Sequence, residues 1–310
     1  IFISIIIWIA NIFLYNKINS MDRREVRKMK KIIFTFLLMS VLYGQANSLL
    51  TLPPTAQISS LGNVDLPYMN PARYGMMKDN LSFSRVNWMS NITDDMFYTH
   101  FSVKRKMIKF SMLTFNYGEQ LETNSNGVVI GDFTPASSIW GFSYNGVIKG
   151  YNYGLKAKLI SHSLFSQKTL GTAFDISTYI PKVYKDLDID VAIRNFGFAP
   201  TFNNYKTKLP TSLNLALSYP YKDFMFYEQH NFFKKNHTFG MGILYKYDTN
   251  DNTKIFGKMG YFSDKKHNLK YPTFGIDLKY EQYFIGISYI YGDRTLPLGD
   301  TFRLTINLEF

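Results

Sequence analysis

Polar and apolar residues alternate along most of this chain. In the segment TFRLTINLEF, Phe302, Leu304, Ile306, Leu308 and Phe310 share one face of an extended strand, and Arg303, Thr305, Asn307 and Glu309 share the other. Successive side chains of a strand point to opposite sides, so alternation with period two means two different environments. The pattern recurs at Tyr153, Leu155, Ala157 and Leu159, at Leu187, Ile189, Val191 and Ile193, and at Leu213, Leu215, Leu217 and Tyr219. It recurs again at Phe274, Ile276, Leu278 and Tyr280, and at Tyr283, Ile285, Ile287, Tyr289 and Tyr291. Read this way, the chain predicts fourteen strands, over 81–88, 95–104, 108–117, 137–148, 151–161, 169–181, 187–195, 211–219, 223–231, 237–247, 254–262, 272–280, 283–291 and 301–310. Glu281-Gln282 and the run from Asn145-Gly146 to Gly150 read as hairpin turns. The stretches 118–136, 196–210 and 292–300 read as loops. No long window has a helical period.

Alternation alone does not say which face lies inside. Composition narrows the choice. Hydrophobic residues make up 46% of the 310 residues and aromatics 17%, yet the mean hydropathy is −0.14. A bundle of membrane helices, each about 20 apolar residues long, would score clearly positive. A membrane barrel hides its apolar residues by alternation and carries aromatic girdles at both rims. An even strand number suits such a barrel.

The beginning of the chain adds an address. From Met29 the sequence MKKIIFTFLLMSVLYGQA has a charged start at Lys30 and Lys31, an apolar run from Ile32 to Leu42, and small residues at Gly44 and Ala46. That is the layout of a secretory signal peptide over 29–46, and its apolar run is too short for a permanent span. Residues 1–28 begin with Ile. Their polar end holds Arg23, Arg24, Glu25, Arg27 and Lys28, which purine-rich codons such as those of a ribosome-binding site can encode. We read them as an extension upstream of the true start. Export together with alternation predicts an all-β fold, a transmembrane antiparallel β-barrel of about fourteen strands at 81–310 in a bacterial outer membrane. Residues 47–80 precede the strands, and Pro53, Pro54, Pro67 and Pro71 argue against a further strand there. The segment is expected to plug the lumen.

Charge and chemistry-bearing residues exclude more than they identify. Of the net charge of +12, the first 46 residues carry +5, and the rest is spread without a compact basic run for nucleic acid. The chain has no Cys, so thiolate metal sites, thiol nucleophiles and disulfides are ruled out. His100, His162, His230, His237 and His267 are scattered, without metalloprotease or nucleophile-elbow spacing. Gly240-x-Gly242 reads as part of a strand, not as a phosphate loop. No enzyme activity, metal or cofactor is expected. On the predicted inner faces lie Lys156, Lys158, Asp175, Asp188, Asp190, Arg194, Asp277 and Lys279. They suit ion pairs and hydrogen bonds to a plug, or, in an open pore, selectivity.

One set of short motifs is more specific. LPPTAQISSLG at 52–62 is followed by Asn70-Pro71-Ala72 and then by the strand LSFSRVNW. Gly131-Asp132-Phe133, Ile193-Arg194-Asn195-Phe196-Gly197 and Leu209-Pro210 come later in the same order. The set resembles the PorV/PorQ family of outer-membrane proteins, which are related in architecture to FadL-type channels. It departs from that family at Gln57, where Arg is usual, and in the shortness of the link between Gly62 and Asn70. The resemblance implies a fourteen-stranded barrel with an N-terminal segment in the lumen. It also implies a non-enzymatic role in type IX protein secretion or surface attachment, with secretion-system proteins or secreted cargo as partners. The FadL relationship implies the alternative, uptake of hydrophobic small molecules. In either case outer-membrane lipid is a partner. The apolar face ending at Phe310 resembles the signal read by barrel-assembly machinery.

Overall fold

The computed structural model describes residues 48–88, 95–123, 129–164, 167–202, 205–249, 252–292 and 301–310. The expected extension at 1–28 and the signal peptide at 29–46 lie outside them.

Eighteen strands occur among the described residues: β1 (Asn80–Asn87), β2 (Met96–Arg105), β3 (Ile108–Tyr117), β4 (Gln120–Thr123), β5 (Val129–Phe133), β6 (Ala136–Ile148), β7 (Tyr151–Leu164), β8 (Gln167–Tyr184), β9 (Leu187–Phe198), β10 (Thr201–Phe202), β11 (Tyr205–Lys206), β12 (Ser212–Tyr221), β13 (Phe224–Phe233), β14 (Asn236–Asp248), β15 (Thr253–Asp264), β16 (Leu269–Tyr280), β17 (Tyr283–Ile290) and β18 (Thr301–Glu309). Fourteen of them close into one barrel in the order β1-β18-β17-β16-β15-β14-β13-β12-β9-β8-β7-β6-β3-β2. Each neighbour is antiparallel, and β1 meets β18 from Asn80↔Glu309 to Val86↔Arg303. Closure leaves no sheet edge, which a membrane does not tolerate.

Three expectations need correction. The stretch 118–136 is not a plain loop, because β4 and β5 form a small separate hairpin there. In 196–210, β9 runs on to Phe198 and β10 pairs with β11. Asn145-Gly146 lies within β6, and the turn falls at Lys149-Gly150, whose φ values are 50° and 81°. Asn145 is held in the strand by its side chain, which donates to Ala72 O at 2.9 Å and Tyr153 O at 3.1 Å. Tertiary bonds here override a local turn signal.

The direction of the alternation is now settled. Phe302, Leu304 and Ile306 face outward, while Thr301, Arg303 and Thr305 are buried inside. Leu308 is half-buried, and Phe310 lies just past β18 with its N–H bonded to Asp79 O at 3.0 Å. Phe83, Phe110, Phe142, Leu159, Phe174, Ile243, Ile276 and Ile285 are likewise exposed on the outside. Ser82, Ser84, Ser102, Ser111, Asn214, Gln229, Lys258 and Asp277 are buried within. A water-soluble barrel would have the opposite polarity; this one presents an apolar belt to lipid. Exposed tyrosines, among them Tyr144, Tyr151, Tyr184, Tyr221, Tyr247, Tyr280 and Tyr283, gather at the end that carries the turns at 149–150, 185–186, 222–223 and 281–282. They form the girdle expected at a membrane interface.

At the other end, on the β1–β3 and β6–β7 side, the polarity reverses. Val86, Trp88, Tyr98, Leu113, Phe115, Ile139 and Ile160 point inward and are buried. Their strand neighbours on the outside are Arg85, Asn87, Thr99, Thr114, Asn116, Ser138 and Ser161. Trp140, exposed on the outside, marks the change and donates from Nε1 to Ser138 Oγ at 3.3 Å. Above this level the wall is built like that of a water-soluble barrel.

Candidate functional site

The residues before β1 run inside the ring of strands. They form a 3-10 turn at Ser48–Thr51, α1 (Ala56–Ser60), α2 (Leu66–Met69) and a second 3-10 turn at Pro71–Met76. Helices this short cannot satisfy their own first N–H groups. The wall does so for them. Ala56 N donates to Thr305 Oγ1 at 2.8 Å. Asp65 N and Leu66 N both donate to Gln229 Oε1 at 2.9 Å. Gly62 N donates to Thr273 Oγ1 at 3.0 Å, and that hydroxyl donates to Ser60 O at 3.0 Å.

Asn70-Pro71-Ala72 sits at the join of α2 and the second turn. Pro71 forces Asn70 into an extended backbone, φ −69° and ψ 115°. Asn70 Oδ1 accepts from Ala72 N at 2.9 Å, while its Nδ2 donates to Asp190 Oδ1 at 2.7 Å and Thr178 O at 3.1 Å. The turn is thereby pinned to β8 and β9.

The structure places the charged inner-face residues in three groups. The first ties the segment to the wall. Arg73 binds Asp190 with both prongs, lies 3.8 Å from Asp188 and stacks over the Tyr179 ring at 4.0 Å. Burial opposes the Arg73 charge, but the hydrogen-bonded Asp190 carboxylate more than offsets this and raises its pKa above the ordinary value. Arg194 pairs with Asp65 at 2.7 Å. The second group pairs wall with wall. Lys158 meets Asp175 at 2.7 Å, Lys258 meets Asp277, and Lys279 meets Glu309. Lys156 stands apart, with no carboxylate partner among the described residues.

Ile193-Arg194-Asn195-Phe196-Gly197 is a β-bulge. The β8–β9 register slips between Phe174 and Ile176, so Arg194 and Asn195 together oppose Asp175. Asn195, at φ 57°, donates its N–H to Asp175 Oδ1 at 2.8 Å and accepts from Lys158 at 2.6 Å. The extra residue turns Asn195 inward beside Arg194, which faces Asp65 by the ordinary alternation of β9.

Glycines mark the seat of α1 and the turn after it. A Cβ on Gly242 would lie 2.8 Å from Leu61 Cα, and one on Gly275 2.9 Å from Ser60 Oγ. One on Gly260 or Gly240 would run into the backbone of Gly62, and one on Gly154 into Pro71 and Ala72. These glycines have no side chain because another backbone lies against the strand. Gly240-x-Gly242 therefore serves contact with the inner segment.

At the loop end the segment divides two environments. One is the apolar pocket described above, closed by Ala173 and Leu209 and filled by Leu49, Leu50 and Leu52 of the segment. Tyr98 fixes its floor, donating to Pro53 O at 2.8 Å and accepting from Arg303 Nε at 3.0 Å. The other is a cavity of about 170 Å³ with a mixed lining, in which Leu50, Phe233 and Phe262 stand beside Asp65, Arg194 and Gln229. Leu50 borders both. Sequence reasoning missed the pocket because it assigned the inner face uniformly polar residues. The signal was present in β3, where one face reads Lys109, Ser111, Leu113, Phe115, Tyr117 and turns apolar halfway.

The histidines do not converge. His162 Nδ1 lies 2.6 Å from Ser137 Oγ at the loop end, and His230 contacts His237 at 3.1 Å and Glu228 at 2.7 Å on the outer face. Among the described residues no cluster of three or more His, Asp or Glu side chains is arranged to hold a metal ion.

Taken together, the geometry defines a closed fourteen-stranded barrel of membrane-facing polarity, with its own N-terminal segment bound inside. Neither a family model nor a curated protein sequence matches the chain. Solved structures do share its fold. The Pseudomonas putida toluene transporter TodX is 11% identical over 84% of this chain and 97% of that one, with a TM-score of 0.51. The monoaromatic hydrocarbon channel CymD is 9% identical over 86% and 99%, with a TM-score of 0.52. The likeness covers the barrel as a whole.

Proposed function

We propose that this chain is an outer-membrane barrel that admits hydrophobic small molecules. The observation that carries the reading is the apolar pocket inside an otherwise polar lumen, filled by Leu49, Leu50 and Leu52 of the chain itself. Leu50 lines the cavity and also packs against the cluster of Trp88, Tyr98 and Phe115, so it stands between the two. Displacing the leucines exchanges one apolar occupant for another. That exchange costs little, because the pocket's buried area is kept. The fold shared with two hydrocarbon channels supports the same reading.

The test is quenching of Trp88 fluorescence by iodobenzene in detergent-solubilised protein carrying Trp140→Phe. Saturable quenching is expected, and Leu50→Ala should lower the half-saturating concentration several-fold. Quenching that is weak, linear and unchanged by Leu50→Ala would count against a lumenal binding pocket.

The ordered motifs that resemble PorV/PorQ proteins favour a second reading, a component of protein secretion or surface attachment. Deleting the gene separates the two. Loss of surface proteins with unchanged uptake of toluene would favour the second; the reverse would favour the first.

A further inference from the structure

Most buried and half-buried cations of the inner wall and inner segment have a carboxylate partner. Lys104 has Asp79, Lys158 has Asp175, Lys258 has Asp277, Arg73 has Asp190 and Arg194 has Asp65. Arg303 lacks one, but its donors reach Tyr98 and Ser59. Lys109 and Lys156 are different. Among the described residues neither has a carboxylate partner. Lys109 Nζ has only Met69 Sδ at 3.7 Å and the face of Tyr74 at 5.3 Å. Lys156 lies across Gly141, where an added Cβ would be 2.8 Å from its Cε and 2.6 Å from Ser111 Oγ.

The two lysines belong to one row. Lys109 pairs in register with Ser143, and Ser143 pairs with Lys156. Adjacent strands are about 4.8 Å apart, so two lysyl side chains on either side of Ser143 reach a common point above it. Further along the wall, in the rows of Ser111 and Leu113, the Ser102 hydroxyl and both ring nitrogens of His100 lack a partner, while the Ser143 hydroxyl is in reach of that of Tyr74. His100 is 3% exposed and Ser143 1%. Lys109 is buried and Lys156 half-buried, and an ammonium taken out of water without a partner is expensive. What the two lysines have in common is N–H donors without an anionic acceptor, and what complements them is a ligand made of acceptors.

We infer that Lys109 and Lys156, on either side of Ser143, form a binding site for a small oxyanion, a carboxylate or phosphate-type group, held between the inner wall and the turn that carries Tyr74. A neutral hydrocarbon offers nothing to these donors, so the site is separate from the apolar pocket and does not rest on the transport reading. Two sources share the chemistry: a free inorganic anion, or the carboxylate end of a larger molecule.

The experiment is a thermal titration of the full-length protein in neutral detergent, read by heat-modifiable gel mobility. Sodium phosphate and sodium octanoate are compared with sodium chloride at equal ionic strength. The unfolding midpoint is expected to rise with at least one of the two anions. The rise should be lost in Lys109→Gln and Lys156→Gln, restored in Lys156→Arg, and kept in Lys222→Gln on the far turn. Phosphate acting alone assigns a free anion; octanoate acting alone assigns a carboxylate on an apolar body. An unchanged wild-type midpoint with both anions overturns the site, and that arm needs no variant to fold. An equal rise in both glutamine variants overturns it as well.

Discussion

Arg73 and Asp190 meet through two hydrogen bonds, Nε to Oδ1 at 2.7 Å and Nη2 to Oδ2 at 2.5 Å. They join a turn of the inner segment to β9, across 117 residues of sequence. The same carboxylate accepts from Asn70, so one side chain of the wall holds both ends of the Asn70–Arg73 turn. A guanidinium matched in this two-pronged way is oriented as well as attracted.

Asp190→Ala should free that turn. Removing one partner of a buried ion pair costs about 3–5 kcal/mol, because the other charge stays buried and unmatched. The expected result is a lower unfolding midpoint and new ion conductance in planar bilayers, where little conductance is expected of the intact protein. Arg73→Ala should do the same. Wild-type conductance that is already large and steady would show that the segment does not close the lumen.

Gly240→Val and Gly260→Val should both disturb the seat of the inner segment, since a Cβ at either position meets the backbone of Gly62. Limited proteolysis of the folded protein should then cut within 49–77, where wild type resists. Gly257→Ala is the control: nothing lies within 4 Å of its added Cβ. Equal protection in all three would refute the close approach.

Asp79 sets a pH dependence. The Lys104 ammonium and the Lys106 backbone N–H hold its carboxyl below the usual 3.8. A group whose folded pKa is depressed contributes stability above its unfolded pKa and loses it as pH falls through the folded value. Its contribution is therefore complete above about pH 4 and declines in more acid solution. Asp79 also accepts the Phe310 N–H on its backbone oxygen, so the loosening falls at the β1–β18 seam. Between pH 5 and pH 2.5 the midpoint of wild type should fall further than that of Asp79→Asn. Parallel curves would sink the assignment.

Phe310→Asp should slow assembly of the barrel. Phe310 continues the outward face of Leu304 and Ile306 at the seam, and we propose that assembly machinery reads this face. Pulse-labelled cells, scored for heat-modifiable protein in the outer membrane, give the rate. A rate equal to wild type would remove the signal from Phe310.

Strand number and approximate limits were legible because alternation is local. Each of the fourteen expected strands matches one in the barrel, from Asn80–Asn87 to Thr301–Glu309. The hairpins at Gln120–Thr123 with Val129–Phe133 and at Thr201–Phe202 with Tyr205–Lys206 were not legible, since their strands are too short for a period to show. The bulge at Asn195 escaped for a related reason: one inserted residue shifts the phase and looks like an ordinary strand end.

What the sequence determined by itself was a period of two, fourteen times over, and with it the barrel. Alternation by itself left open which face turned to lipid, because inversion of a strand preserves it; the signal peptide and the terminal Phe pointed to the apolar face. Closure then realises that direction, burying Thr301, Arg303 and Thr305 and leaving Phe302, Leu304 and Ile306 outside. The site was decided at the same level. Arg73 finds Asp190, Gly62 finds Gly240, and Lys109 and Lys156 flank Ser143, because ring closure brings distant strands around one segment. No local pattern records such neighbours, since a hydrogen bond or an ion pair depends on distance in space and leaves no period in the chain.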